Sequence, residues 1–260
     1  MTEQMQISCV KTPYKGIETS VFLFRTEQGA LLFDAASYDH DIRDTVLPWL
    51  TEQGITPEEL KYIFISHKHD DHAGGLPELL RHFPEAVILS QSRALQKQYE
   101  DRPFRLPADG ETVLGCLQVI SIPGHTADSA GILDTRTQTL VCGDCLQLYG
   151  IFGEGKWGAN VTYPTAHREA IARLRGMPLR RILTAHEYHP CGSCYEGQKE
   201  ISAALDACLA PLAYIETLIK ANPSLTDEEI CALYHQQGTV PTLGARVVAA
   251  MRKSMQDNIF

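Results

Sequence analysis

The sequence predicts an α/β fold that ends in a helical segment. Three observations carry that expectation. Short apolar runs such as Tyr62-Ile63-Phe64-Ile65 alternate with stretches of helical spacing. Several of those runs stop at a histidine or an aspartate, and from Glu200 onward the pattern is helical alone.

Taken in order, Gln6 to Lys11, Thr19 to Arg25 and Ala30 to Ala35 read as strands, with Gly29 turning the last two into a hairpin. Asp41 to Gln53 has helical spacing, placing Ile42, Val46, Leu47 and Leu50 on one face, and Gly54 ends it. Thr56-Pro57-Glu58-Glu59 reads as the start of a short helix with proline in its first turn. The strand Tyr62 to Ile65 follows, then a helix from Leu76 to Phe83, with Gly74 and Gly75 allowing a tight backbone ahead of it. Ala86 to Ser90 reads as a strand, Arg93 to Tyr99 as a short helix, and Asp101 to Gly110, with Pro103 and Pro107, as loop. Strands are expected at Thr112 to Leu114, Leu117 to Ile122, Ala130 to Leu133 and Thr139 to Val141. Gly150 to Thr162 mixes four glycines with Ile151, Phe152, Trp157 and Val161, a loop carrying large apolar groups near the candidate site. A helix from Pro164 to Gly176 leads to the strand Arg181 to Ala185. Helices are then expected at Ile201 to Ala221, Asp227 to Gln236 and Leu243 to Met255, the second opened by the capping box Thr226-Asp227-Glu228-Glu229. Residues 1–199 are expected to form the core and 200–260 a helical extension packed on it, since about 60 residues make a marginal domain alone.

The 260 residues, 44% hydrophobic and 21% charged, suffice for a sizeable core. A formal net charge of -9 argues against a polyanion as main partner, so nucleic acid is not expected. No apolar run reaches the roughly 18 residues of a membrane helix. Met1 to Gln6 has neither the basic nor the apolar region of a secretory signal. The expectation is a cytoplasmic protein with its eight cysteines mostly reduced and no membrane partner. The apolar face around Ile215, Leu218 and Ile219 suits either intrachain core or a contact between copies in a homo-oligomer.

The run Ser66-His67-Lys68-His69-Asp70-Asp71-His72 concentrates three histidines and two carboxylate candidates just after a strand. Strand ends are where open sheets place active sites. Imidazole with carboxylate suits zinc, iron, manganese or cobalt. His67 and His69 can converge on one cation, and Asp71 and His72 can turn to another. Further strand-like runs end at His125, Asp144 and His186. Five histidines and two aspartates so placed look like one two-metal site.

With Asp34 after Ala30-Leu31-Leu32-Phe33, then H-x-H-x-D-H followed by Ala73-Gly74-Gly75, then His125, Asp144 and His186, residues 5–190 resemble the metallo-β-lactamase-fold hydrolase superfamily, in its generic, glyoxalase II-like branch. The resemblance implies a four-layer αββα sandwich with the helical extension outside it. It also implies two divalent metals, zinc first and iron or manganese as alternatives. His67, His69 and His125 would hold one, Asp71, His72 and His186 the other, with Asp144 bridging and Asp34 orienting a ligand from behind. The resemblance further implies a hydroxide bridging the metals, with Asp71 and Asp144 as candidates to orient it or accept its proton. Residues 200–260 carry no recognisable basic, tyrosine-rich glutathione site.

Tyr188 or His189, just past His186, is a candidate donor to a developing oxyanion. Lys68, Tyr149 and Trp157 are candidates to line the substrate mouth, although Lys68 also reads as solvated and Trp157 as a loop anchor. Asp70 reads as a turn residue, and His40, His82, His167 and His235 as surface or satisfied histidines. Cys142-Gly-Asp-Cys145 and Cys191-Gly-Ser-Cys194 have the spacing of metal or redox pairs, with buried packing as the default for free cysteine. The expected activity is metal-dependent hydrolysis of a small ester, thioester or lactone. A phosphodiesterase or nuclease of the same fold is the alternative, with Arg173, Arg175, Arg180 and Arg181 as its basic group. An iron-dependent redox enzyme is a further one, and a non-catalytic binding protein the last.

Overall fold

The computed structural model describes residues 7–150, 158–188, 192–236 and 242–257. Twelve strands form two mixed sheets among these residues. The first contains β1 (Ser8–Tyr14), β2 (Ile17–Thr26), β3 (Gly29–Phe33), β4 (Leu60–Phe64), β5 (Val87–Leu89) and β6 (Phe104–Arg105), in that spatial order. The second contains β7 (Thr112–Val113), β8 (Leu117–Ser121), β9 (Ala130–Asp134), β10 (Thr139–Cys142), β11 (Arg181–Tyr188) and β12 (Gly192–Glu196), likewise in sequence order. β1 to β3 are antiparallel hairpins, whereas β3 to β6 run parallel. In the second sheet only β10 and β11 are parallel.

Helices cover the outer faces. α1 (Asp39–Asp41) continues through a π-helical turn, Ile42–Val46, into α2 (Leu47–Glu52). α3 (Asp70–Ala73), α4 (Leu76–His82) and α5 (Arg93–Gln98) follow, then α6 (Pro164–Arg175), α7 (Gly197–Ala221), α8 (Asp227–His235) and α9 (Ala245–Asp257). Three apolar layers result from the alternation of side chains along strands. Phe22, Phe24, Phe33 and Phe64 of the first sheet meet Val119, Ile132 and Val141 of the second between the sheets. Leu23, Leu32, Ile63 and Ile88 point outward beneath Ile42, Leu50, Leu76 and Leu79. On the other side Ile120, Leu140 and Ile182 pack beneath Ile171, Leu174, Ile201 and Leu205. This is the αββα sandwich expected from the sequence.

Four expectations are corrected. Thr56 to Glu59 forms a turn, not a helix, closed by Glu59 N–H to the Thr56 carbonyl at 3.1 Å and by Glu59 Oε2 accepting from Thr56 N–H at 2.9 Å. The 101–110 loop contains β6, whose two residues prolong the parallel edge beside β5. The strand before His186 does not stop at Ala185 but runs through to Tyr188, with an irregularity in its pairing to β12 between Leu183 and Tyr188. Finally, α7 is long and apolar enough to cross a membrane by length and composition, with a mean hydropathy of 1.4. Its first half packs through Ile201, Leu205 and Cys208 on the second sheet, and its second half through Leu212, Ile215 and Ile219 on α8 and α9. The Ile215, Leu218 and Ile219 face is therefore intrachain packing.

Candidate metal centre

The ends of both sheets meet at one place. β3 delivers Asp34, whose φ of 66° is a left-handed conformation that few non-glycine residues adopt. The turn is fixed by Asp34 N–H donating to the Phe64 carbonyl at 2.7 Å. The buried carboxylate accepts from Ser66 N–H at 2.8 Å, Ser66 Oγ at 3.0 Å and His72 Nδ1 at 2.7 Å. β4 delivers Ser66 and His67. His69 then caps α3, a single turn that carries Asp71 and His72 inward. Gly74 follows because a side chain there would collide with the Ser37 carbonyl oxygen. Gly143, beside Asp144, likewise leaves no room between its Cα and Ser66 Oγ.

His67 Nε2 and His125 Nε2 lie 2.9 and 2.8 Å from His69 Nδ1. The Ser66 hydroxyl donates to Asp34, so at 3.1 Å it accepts from His67 Nδ1–H. His125 Nδ1–H donates to the Asn160 carbonyl at 2.7 Å. Both Nε2 atoms are then lone pairs aimed at the same point as His69 Nδ1, an arrangement that a cation satisfies and protons satisfy poorly.

The second group repeats the logic. His72 Nδ1–H is held by Asp34, and His186 Nδ1–H by the Glu18 carbonyl at 2.7 Å. Their Nε2 atoms each lie 3.1 Å from Asp144 Oδ1, and 3.4 and 3.2 Å from Asp71 Oδ2. Neither Nε2 makes a hydrogen bond despite those distances, and both are buried. Buried nitrogens that face carboxylate oxygens without a hydrogen bond are better satisfied by a cation between them. Asp144 Oδ2 lies 3.5 Å from His125 Nε2, so the two carboxylate oxygens face the two groups separately. The ligand atoms of His67, His69 and His125, and those of Asp71, His72, Asp144 and His186, each fall within 4.8 Å of one another. Both groups could hold a metal ion, and the chemistry of the donors fits one.

Electrostatics support this. Burial, then the positive potential of His72, holds His67 well below the usual histidine value, and burial lowers His125 to about 4. Burial opposes charge on His186 too, but Asp144 and Asp71 lift it to about 9. Burial works to raise Asp144, yet His186 and His72 hold it well below the usual carboxylate range. One group thus offers neutral nitrogens, and the other carboxylates whose charge is balanced by protons that a cation would displace.

The remaining candidates separate. Tyr188 is fully buried and donates to Asp144 Oδ1 at 3.1 Å, so its hydroxyl holds that carboxylate. Expected as an oxyanion donor, that hydroxyl is instead enclosed and engaged by Asp144. His189, Trp157 and Cys191 lie outside the described residues. Lys68 is exposed and lines the hollow over the site, as does Asp70, which opens α3. Tyr149, a further lining candidate, instead packs against the apolar layer under α7 and does not line that hollow. His167 is not a satisfied histidine: it is buried, and neither ring nitrogen has a hydrogen-bond partner. Cys142 and Cys145 are buried in the same apolar layer, and Cys194 is exposed on β12. Among the described residues no cysteine belongs to a group that could hold a metal. Arg173, Arg175 and Arg181 are paired with Asp109, Asp206 and Glu196.

Residues missed from sequence also converge here. Gln147 is buried, accepts from Asn160 N–H at 2.5 Å and touches His125, thereby fixing the segment that holds that ring. Arg246 of α9 lines the same hollow as His69 and Asp144. Nothing local in either residue's sequence surroundings signals this, since both arrive through tertiary packing.

The chain is similar to several known proteins. The Bacillus subtilis protein YobT is 33% identical over 123 residues, 38% of this chain and 52% of its own length. A hydroxyacylglutathione hydrolase of Synechococcus sp. is 33% identical over 158 residues, 59% of each chain. The chain thus spans between half and three-fifths of the length of these curated relatives. A metallo-beta-lactamase family protein from Thermus thermophilus has the same fold, with a TM-score of 0.66 and 18% identity over 97% of this chain and 93% of the other. Residues 15–186, which contain every candidate ligand, match the Metallo-beta-lactamase superfamily, and the chain belongs to that superfamily.

Proposed function

We propose that the protein is a hydrolase with two divalent metals that cleaves a small ester, thioester or lactone. The observation that carries this reading is the division of the Asp144 carboxylate, one oxygen toward the three-histidine group and the other toward His72 and His186. When bound, such cations polarise a substrate oxygen and bring water to ionise near neutral pH. The chain's own contribution is positional. Asp34, the Glu18 carbonyl and the Asn160 carbonyl fix the tautomers of three ligand histidines. Tyr188 holds Asp144 in place, and Asp71 and Asp144 offer oxygens that can orient or accept a proton at the reacting water. The hydroxyacylglutathione hydrolase relatives support an acyl substrate. Zinc suits this donor set best, with iron and manganese as alternatives.

Elemental analysis of the purified protein, with para-nitrophenyl esters, thioesters, lactones and an activated phosphodiester as substrates, tests the reading. About two metals per chain and acyl cleavage are expected, and Asp144→Ala should remove most metal and at least a hundredfold of activity while the far-UV spectrum is unchanged. Undiminished turnover in Asp144→Ala would defeat it. Phosphodiester cleavage alone would transfer the assignment to the phosphodiesterase branch.

A further inference from the structure

Two hollows meet over the candidate centre. The smaller, about 240 Å³, is floored by Asp71, Asp144 and His69. The larger, about 500 Å³, opens beside it, and the two share Lys68, His69, His125, Asn160 and Arg246. The larger hollow carries three basic side chains from separate elements: Lys68 just before α3, Arg93 at the start of α5 and Arg246 in α9. All three are exposed. None forms an ion pair among the described residues, whereas Arg136, Arg168, Arg173, Arg175 and Arg252 are each paired with a carboxylate. One acidic group, Asp128, shares the wall of the larger hollow, while Asp70, Asp71 and Asp144 line the smaller one, so the larger hollow by its own lining is net positive in a chain whose formal charge is -9.

A concentration of uncompensated cations against the overall charge, next to the reacting position, suits an anion better than an apolar group. Guanidinium forks match the planar oxygens of carboxylate and phosphate. The volume suits the acid end of a small molecule whose scissile bond reaches the smaller hollow. We propose that the larger hollow is the subsite for an anionic group, carboxylate or phosphate, and that the substrates are acidic acyl compounds. The acid end lies against Arg246, Arg93 and Lys68, and the scissile carbonyl lies over Asp144. This assignment of substrate class rests on the hydrolase reading, but the subsite itself does not.

Two measurements on the protein as isolated test it. The first is binding, by ligand-observed NMR, of glutarate, its neutral diamide and inorganic phosphate. Glutarate or phosphate should bind and the diamide should not, and the tighter of the two anions identifies the source of the charge. Arg246→Gln and Arg93→Gln should each weaken anion binding about tenfold or more, the loss of a charge-assisted contact. An anion held by metals alone would be indifferent to Arg93→Gln, which would overturn the subsite. The second is cleavage of the para-nitrophenyl monoester of glutaric acid against para-nitrophenyl butyrate. The glutarate ester should be preferred in kcat/KM about tenfold or more, with the ratio collapsing toward one in both Gln variants and retained in Arg246→Lys. Equal binding of glutarate and its diamide, or a preference surviving both Gln variants, overturns the proposal. Anion binding that depends on Arg246, with neither ester cleaved, supports the subsite and removes the hydrolase reading alone.

Discussion

Asp34 binds three donors at once and leaves no oxygen for a metal, so its effect on the centre passes through His72. Asp34→Ala should lower metal affinity about 10- to 100-fold, the range for an outer partner of a ligand histidine. Competition with a chromophoric chelator measures this, and an unchanged affinity would show that the ring is held by packing alone. His167 lies behind the same centre, where a side chain on Gly124 would strike its ring. Burial lowers its pKa from 6.5 to about 4, against the opposing pull of the nearby Cys208 backbone. Between those values the unfolded chain binds the proton and the folded chain does not. Stability contributed by the neutral ring is therefore complete above pH 6.5 and is lost as pH falls toward 4, by at most about 3 kcal/mol. His167→Leu should lose less stability than the wild type between pH 7 and pH 4 in urea denaturation, and equal losses would sink the assignment. Burial of His167 was illegible in sequence, because its neighbours in α6 look amphipathic and nothing marks which face meets His125. His67, His69, Asp71 and His72 were legible because they stand close together in one short run directly after the strand β4.

At the scale of elements, α7 is the piece whose role depends most on context. The sequence shows a long apolar helix beginning close to Glu200, and composition alone cannot say what covers it. The structure divides it between two layers: Ile201, Ala204, Leu205 and Cys208 on the second sheet, Leu212, Ile215 and Ile219 under α8 and α9. Strands with apolar runs, from β2 to β5 and β8 to β11, were readable because buried strands need little beyond such a run. β6 and β12 were not, since an edge strand of two residues, or one rich in Gly, Ser and Glu, is stabilised by its neighbour's hydrogen bonds rather than its own side chains. The Thr226 capping box appears as expected, with Thr226 Oγ1 accepting from Glu229 N–H at 3.2 Å. If α7 completes the second layer, a chain ending at residue 199 should lose cooperative folding, because Ile182 and Tyr195 would be uncovered. In the full chain Leu205→Ala should cost about 2–5 kcal/mol. A truncated chain with a sharp urea transition would show instead that the helices are an independent unit.

Across the whole molecule, the candidate ligands come from both sheets. His67, His69, Asp71 and His72 follow β4 of the first, whereas His125, Asp144 and His186 follow or lie in β8, β10 and β11 of the second. Polar contacts already join the sheets at this end, among them His186 Nδ1–H to the Glu18 carbonyl of β2 and Ala130 N–H to the Ser66 carbonyl. The apolar layer of Phe22, Phe33, Phe64, Val119 and Val141 holds them elsewhere. Cations bound across the gap would therefore cross-link the two sheets and relieve the buried His72 and His186 nitrogens, and these gains exist only in the folded state. At a free metal concentration a hundred times the dissociation constant, linkage adds about 2.7 kcal/mol. For a chain of this size that corresponds to roughly 5–10 °C in Tm. Chelation should lower the calorimetric Tm by that much, and re-addition of metal should restore it. Asp144→Ala, which removes the group facing both sites, should melt at one temperature with and without chelator. A wild-type Tm indifferent to chelation would mean that the ions, where present, do not join the sheets, and that the apolar layer alone sets the geometry on which the site depends.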